Sequence, residues 1–419
     1  MGTILGTGIF NMDTIVRREY PEGPQHSRNF TETLVAEDVG GTCGNVMTIL
    51  GWIGMNSFPV ACFDDSDEGL RMTEYLKRYG CDTRFVSNTP KGGTTLFRCT
   101  HKLTPEGEHV MSPRGTSPGS RFPKRHFLRL KDEAPALLEK LDFVPDLFFF
   151  DDPAAGHRAI ARALREKGTI VYYEPAHVES NIDLECIALS DIVKFSGENI
   201  PDPSFTEQFP DKFFIQTLGG KGLRYRIPGK GWKTMAPAYC SGVVDWEGAG
   251  DWTTAILLHR IMKDKAISDS WFERLSLPQK KEKFLKGNLR KWFGEDLEAA
   301  QTVAAQSVSF WCSKGLIYQA ESEGPVTDRI HELFARKDIR SCYTDKPVIF
   351  VENLDTQEEY EGAYSDGNTL VDLDEQVQTE HSRMYGILRS GEAVNLEGFD
   401  SWFWDEGYGR MVSLLFRQR

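Results

Sequence analysis

The sequence predicts an α/β fold: a doubly wound, mostly parallel sheet flanked by helices, with a small β lid and a C-terminal appendage. Three observations predict it. Strand-like apolar runs alternate with helical patterns through the first 320 residues, the signature of βαβ units building a parallel sheet covered on both faces. Two period-2 segments interrupt the alternation and read as an antiparallel element attached to that sheet. Charge is also unevenly spread. The 419 residues carry 49 Lys+Arg and 62 Asp+Glu, a net −13, and Val351–Arg419 alone holds 15 acidic residues, 5 Arg and no Lys.

The elements follow in order. Thr3–Phe10 reads as a strand and Asn45–Ile53 as a helix opening after Gly40-Gly41. Phe58–Phe63 is a strand and Gly69–Tyr79 a helix. The period-2 segments are Thr94–Cys99 and His109–Met111, a hairpin around Pro105-Glu106-Gly107. Asp146–Phe150 is a strand, followed by an Ala/Arg-rich helix over His157–Lys167. Thr169–Tyr173, Ile192–Phe195 and Phe213–Leu218 are further strands. Gly250–Met262 and Asp296–Lys314 read as helices.

These elements place a core at 1–324, with lid segments near 14–38 and 92–112. The appendage is 325–419. Its acidity would suit a disordered tail, but Trp402-Phe403-Trp404 and the apolar runs Val348–Val351 and Met411–Phe416 argue for folded structure with some strand content. A basic stretch lies at Arg260–Lys291, with ten Lys/Arg against four Asp/Glu. It reads as a solvated amphipathic helix, or as a dock for the acidic appendage or a phosphate-rich ligand.

Composition excludes several classes. With 40% apolar and 26% charged residues the chain is ordinary globular protein. No run of about 18 apolar residues exists, so no membrane partner is expected. The N-terminus has no basic segment and no long apolar core, so no secretory signal is expected. The 8 Cys lack a CxxC pair, which suits free thiols and a cytoplasmic location. The acidic balance argues against nucleic acid as a partner.

The most informative stretch is Val243–Ala255. A short apolar run enters Gly248-Ala249-Gly250, which opens a helix, and Asp251 follows at once. Small residues let backbone N–H groups at a helix N-terminus approach an anion. An Asp there repels phosphate but can take a proton from an attacking hydroxyl. Taken alone, the pattern fits equally well a Gly-rich turn whose Asp caps a helix.

Gly248-Ala249-Gly250-Asp251 resembles the C-terminal signature of the ribokinase-like carbohydrate kinases, the phosphofructokinase-B superfamily. Gly40-Gly41-Thr42-Cys43-Gly44-Asn45, closed by Gly51 and Gly54, resembles the family's N-terminal Gly-Gly…Asn signature. Gly6–Asp13 looks like its first strand. The order and spacing of the two signatures, about 200 residues apart, match the family. Phe214–Gly222 resembles its nucleotide turn, and Asp296–Lys314 the helix lining its adenine pocket. The resemblance covers residues 1–320.

The resemblance implies ATP-dependent phosphorylation of a hydroxyl on a sugar or sugar-like molecule. Asp251 is then the general base, with Gly248, Ala249 and Gly250 as the anion hole. Asn11, Asp13, Gly40, Gly41 and Asn45 bind substrate, while Thr217, Gly219, Gly220 and Gly222 approach the nucleotide, with Mg²⁺ as cofactor. A nucleoside kinase shares both signatures and would need an aromatic platform, with Phe10, Phe30 and Phe97 as candidates. A catalytically weak ligand-binding regulator is the other reading. The family's habit of pairing through the lid implies a homodimer, unless the appendage covers the lid edge.

Two departures stand out. Asp245-Trp246-Glu247 replaces the usual Asp-Thr-x before Gly-Ala-Gly, which leaves the family's monovalent-cation loop open. Ser196-Gly197-Glu198-Asn199 replaces Asn-x-x-Glu, so the metal-orienting acid is either lost at Asn199 or shifted to Glu198.

Overall fold

Leu147–Phe150 and Ile170–Tyr173 are buried at every residue, which a strand achieves only when both faces of its sheet are covered. In the computed structural model these runs lie in the middle of a nine-stranded sheet. The structure describes residues 2–19, 31–89, 97–103, 109–111, 115–116, 133–238, 240, 243, 245–310, 312–322, 348–353, 359–362, 382–387 and 393–395. The chain divides into two units, one of Met1–Pro237 with Glu247–Val303 and the other of Ala238–Trp246 with Ala304–Arg419.

In chain order the first unit begins with β1 (Thr3–Thr7), β2 (Asn11–Glu19) and β3 (Thr31–Gly40). Next come α1 (Thr42–Trp52), β4 (Asn56–Asp64), α2 (Asp67–Arg78) and β5 (Val86–Thr89). Strands β6 (Phe97–Leu103), β7 (His109–Met111) and β8 (Gly115–Thr116) precede α3 (Ala134–Lys140). The alternation resumes with β9 (Leu147–Phe150), α4 (Ala155–Glu166), β10 (Ile170–Tyr173), α5 (Asn181–Leu189) and β11 (Ile192–Ser196). It continues through β12 (Phe213–Thr217), β13 (Leu223–Arg226), β14 (Trp232–Met235), α6 (Ala249–Trp271), α7 (Leu277–Lys286) and α8 (Asn288–Ser307).

The main sheet runs β14-β13-β12-β11-β10-β9-β1-β4-β5, parallel except for β13 and β14. Side chains of one parity, Phe148, Phe150, Val171, Tyr173 and Phe195, pack with Ile160 and Leu164 of α4 and Ile187 of α5. The opposite parity faces α1, α6 and α8. There Phe213 meets Phe293 at 4.8 Å, and Trp52 meets Trp252 edge-on at 6.3 Å. A second sheet orders β3-β2-β6-β7, with β8 on β6. A hairpin is present as antiparallel β6 and β7, but it pairs His101–Leu103 with His109–Met111, beyond the expected Thr94–Cys99; Pro105-Glu106-Gly107 lies outside the described residues.

Several boundaries move. The first strand stops at Thr7, because the chain leaves the main sheet at Gly8 and pairs as β2 from Asn11. Helix α6 continues nine residues past Met262. The polar run Lys263-Asp264-Lys265 does not end it, since Lys265 Nζ lies 2.8 Å from Asp146 and 2.6 Å from Asp269. The helix expected over Asp296–Lys314 starts earlier, at Asn288, and ends at Ser307.

In the second unit, Asp245 is buried and its Oδ2 accepts 2.8 Å from the Cys312 N–H, while Trp246 is exposed. After α9 (Gly315–Ser322) come β15 (Val348–Asn353), β16 (Glu359–Gly362), β17 (Ser382–Ile387) and β18 (Ala393–Asn395). They form an antiparallel sheet in the order β16-β15-β17-β18. Trp402-Phe403-Trp404 and Met411–Phe416 lie outside the described residues. Among the described residues no helix is long and apolar enough to cross a membrane.

Candidate active site

Strand order reverses at β1, whose neighbours are β4 on one side and β9 on the other. In open α/β sheets the crevice beyond the carboxyl ends of the strands at such a point holds the ligand. The chemistry-bearing residues gather there. Asp151, directly after β9, is buried, and its carboxylate ties two segments together. Its Oδ1 accepts from the Ile9 N–H and its Oδ2 from the Cys43 N–H, each at 2.8 Å. Burial pushes this carboxyl well above the usual range, against the two N–H donors that favour its charge.

The N-terminal signature follows from that tie. Asn11 pairs with Gly40 across β2 and β3. Asp13, two residues on, lays its carboxyl over Gly40, where a Cβ would come within 2.0 Å of all three carboxyl atoms. Gly40 is therefore required by close approach. Gly41 caps α1, whose first turn carries Asn45. Asn11 is buried, and its Oδ1 has no hydrogen-bond partner among the described residues. A buried carbonyl oxygen left so costs about 1–3 kcal/mol, which a ligand hydroxyl would relieve.

The second signature sits beside the first. Asn45 Nδ2 donates 2.7 Å to Asp251 Oδ2. Gly248 caps α6 at φ 80°, a left-handed conformation that costs glycine little, and Ala249 and Gly250 form the first turn. Their N–H groups are among those a helix start leaves without intrahelical partners. Lys194 is buried in β11, and its Nζ would lie 3.5 Å from a Cβ on Gly250. It pairs with Glu174, whose Oε2 accepts 2.7 Å from Thr254 of α6. A cation and a helix N-terminus thus converge beside Asp251.

The nucleotide-turn residues form a neighbouring group. Thr217 ends β12, a 3₁₀ turn spans Gly219–Lys221, and Gly222 closes it by donating 3.0 Å to Gly219 O. Gly219 and Gly220 border open space. The Gly197 N–H donates 2.7 Å to Thr217 O, so the Ser196–Asn199 turn is joined to this group. Glu198 and Asn199 are exposed. Among the described residues no three His, Cys, Asp or Glu side chains cluster as a metal cage.

Some expectations resolve into packing. Phe10 is buried with its ring edge-on to Phe63 at 5.9 Å, so it is a core residue and offers no platform for a base. Phe30 and the side chain of Phe97 lie outside the described residues. Burial pushes the Cys43 thiol well up, with Asp151, Cys81 and Asp251 adding to it, which favours the protonated form. His157 is buried against Thr7.

Asp151 and Lys194 were missed in the sequence. A signal existed for Lys194: it is a lone cation inside the apolar run Ile192–Phe195 of a strand buried on both faces.

No family model matches the sequence, and no curated protein does. Solved structures do match. Ribokinase from Giardia lamblia is 16% identical with a TM-score of 0.53, covering 75% of this chain and 96% of that one. Ribokinase from Arabidopsis thaliana, solved with ribose and ATP, is 14% identical with a TM-score of 0.51, covering 75% and 96%. A nucleoside kinase from Burkholderia thailandensis, solved with inosine, is 13% identical with a TM-score of 0.50, covering 75% and 92%. The chain has the ribokinase-like fold.

Proposed function

We propose that this protein is an ATP-dependent kinase that phosphorylates a hydroxyl of a sugar or sugar-like small molecule. The observation that carries the reading is the Asn45–Asp251 hydrogen bond at the N-terminus of α6. It joins the substrate-side signature to a carboxylate that stands where an anion would be held.

Asn11, Asp13 and the Gly40-Gly41 corner orient the substrate hydroxyls, with the unsatisfied Asn11 Oδ1 accepting one. Asn45 holds one oxygen of Asp251, and that carboxylate takes the proton of the attacking hydroxyl. The substrate's hydroxyl oxygen forms the new bond to the γ-phosphorus as the bond to the β-phosphate oxygen breaks, releasing ADP. Backbone N–H groups of Gly248, Ala249 and Gly250 and the Lys194 ammonium offset the charge on the transferred group. Thr217, Gly219, Gly220 and Gly222 line the nucleotide, and the open space over Gly219 and Gly220 suits a bound base and ribose. Mg²⁺ typically binds one or two carboxylates plus substrate phosphates; the exposed Glu198 is the carboxylate offered here, and the ion would neutralise phosphate charge.

ADP release in the presence of ATP and Mg²⁺, measured across sugars, sugar acids and nucleosides, tests the reading. Turnover with a sugar or sugar acid supports it, and turnover confined to nucleosides moves the substrate class. Ligands that raise the melting temperature without any turnover would replace it with a binding protein of kinase fold.

A further inference from the structure

A second cavity opens at the other end of the same strands. It holds about 620 Å³, within the range of small-molecule sites, and lies among the starts of β11 and β12, the chain after β13, and helices α7 and α8. Five cations line it: Arg165, Lys212, Lys281, Lys286 and Arg290. The three acids in its wall are each engaged by a lysine. Asp191 meets Lys281 at 2.7 Å, Asp211 meets Lys212 at 3.2 Å, and Glu282 meets Lys286 at 2.6 Å.

Two positive charges remain. Among the described residues neither Arg165 nor Arg290 meets a carboxylate; they donate to backbone carbonyls, Arg165 to Ala188 O at 3.3 Å and Arg290 to Pro228 O at 2.8 Å. Each carbonyl occupies one of five guanidinium N–H donors. A third charge is poorly compensated. Lys212 is only 4% exposed, yet the Asp211 side chain opposite is 70% exposed and its charge is screened by water. Buried cations without strong local pairing are costly, and an incoming anion would repay that cost. Pro210, Pro228 and Pro278 give the cavity stiff apolar walls, suited to a compact carbon skeleton behind an anionic group.

We propose that this cavity is a second ligand site, which binds a phosphorylated small molecule through Arg165, Arg290 and Lys212. Guanidinium groups favour phosphate because two parallel N–H donors match two phosphate oxygens. The site is separate from the one around Asp251. Asp191 and Lys212 stand at the amino ends of β11 and β12, whereas Ser196 and Thr217 stand at their carboxyl ends, about 16 Å away at roughly 3.3 Å per residue. The inference does not depend on the kinase reading.

Backbone amide resonances of the full chain, titrated with inorganic pyrophosphate, test it. The expected result is saturable shifts at Lys212, Gly229 and Arg290, weakened at least about tenfold in Arg290→Met, with any shifts at Gly219–Gly222 unchanged. Arg165→Met, on another helix, should weaken the same response and keeps the test readable if Arg290→Met alters stability. Parallel titrations with glucose 6-phosphate and ADP separate a sugar phosphate from a nucleotide by which binds more tightly here. Shifts confined to Gly219–Gly222 and Gly248–Gly250, or equal affinity in both variants and the parent, would overturn the proposal.

Discussion

Asn45 of α1 donates its side-chain N–H to Asp251 of α6 across 2.7 Å, so residues 206 apart in sequence share one hydrogen bond. The bond fixes one oxygen of the carboxylate proposed as the base. Asn45→Asp would set two carboxyls in contact, and like charges at that distance keep one proton between them. Loss of about a hundredfold in kcat near neutral pH is expected, with the acid limb of the rate profile moved to higher pH. A pH–rate profile of Asn45→Asp beside Asn45→Ala, which removes the donor without adding charge, checks this.

Buried Lys194 and half-buried Glu174 form an ion pair beside Gly250. Removing one partner leaves an uncompensated charge, at a cost of about 3–5 kcal/mol, whereas neutralising both costs far less. Lys194→Met should therefore unfold at lower urea than Lys194→Met/Glu174→Gln. If the ammonium also stabilises the transferred phosphoryl group, the double variant regains stability and stays at least about tenfold slow in kcat. Recovery of both together would make Lys194 purely structural.

How much of this was legible in the sequence differs by element. The central strands were, because Leu147–Phe150 and Ile170–Tyr173 have no polar residue to interrupt them. Strands towards the sheet's margin were not. In β13, Leu-Arg-Tyr-Arg spreads its signal over two alternating arginines, which are held on the sheet by Arg224 stacking on Trp232 at 5.1 Å and Arg226 on Phe214 at 4.9 Å. Helix α5 carries its start in Ser180 and Asp183, a reciprocal cap visible in the sequence but unread. The two signatures carrying Asn45 and Asp251 were legible, but the hydrogen bond between these residues was not. Asp151 had no local signal, since its partners Ile9 and Cys43 are more than 100 residues away.

Asp151 holds two backbone N–H groups at once. Asn in its place offers one oxygen and turns its amide N–H₂ toward the other donor. Asp151→Asn should lose about 1–3 kcal/mol of unfolding free energy and raise the substrate KM, since the Gly40-Gly41 corner loses its anchor. Urea denaturation and a KM measurement on the same preparation check both.

Acid should weaken the first unit at Asp146. Burial alone would raise this carboxyl, but Lys265 at 2.8 Å and two hydrogen bonds from Thr3 hold it below the usual range. A carboxyl depressed in the folded state adds stability that is full above its unfolded pKa and fades as pH falls through the folded one. The parent should therefore exceed Asp146→Asn in stability at pH 6, with the gap closing below about pH 4. Denaturation midpoints at both pH values measure that gap.

The central claim rests on Asp251, and Asp251→Asn tests it most directly. With a substrate that the parent phosphorylates, kcat should fall at least about a hundredfold while substrate affinity, read by calorimetry, changes little. Turnover within a few-fold of the parent, with binding intact, would contradict the assignment of Asp251 as the base.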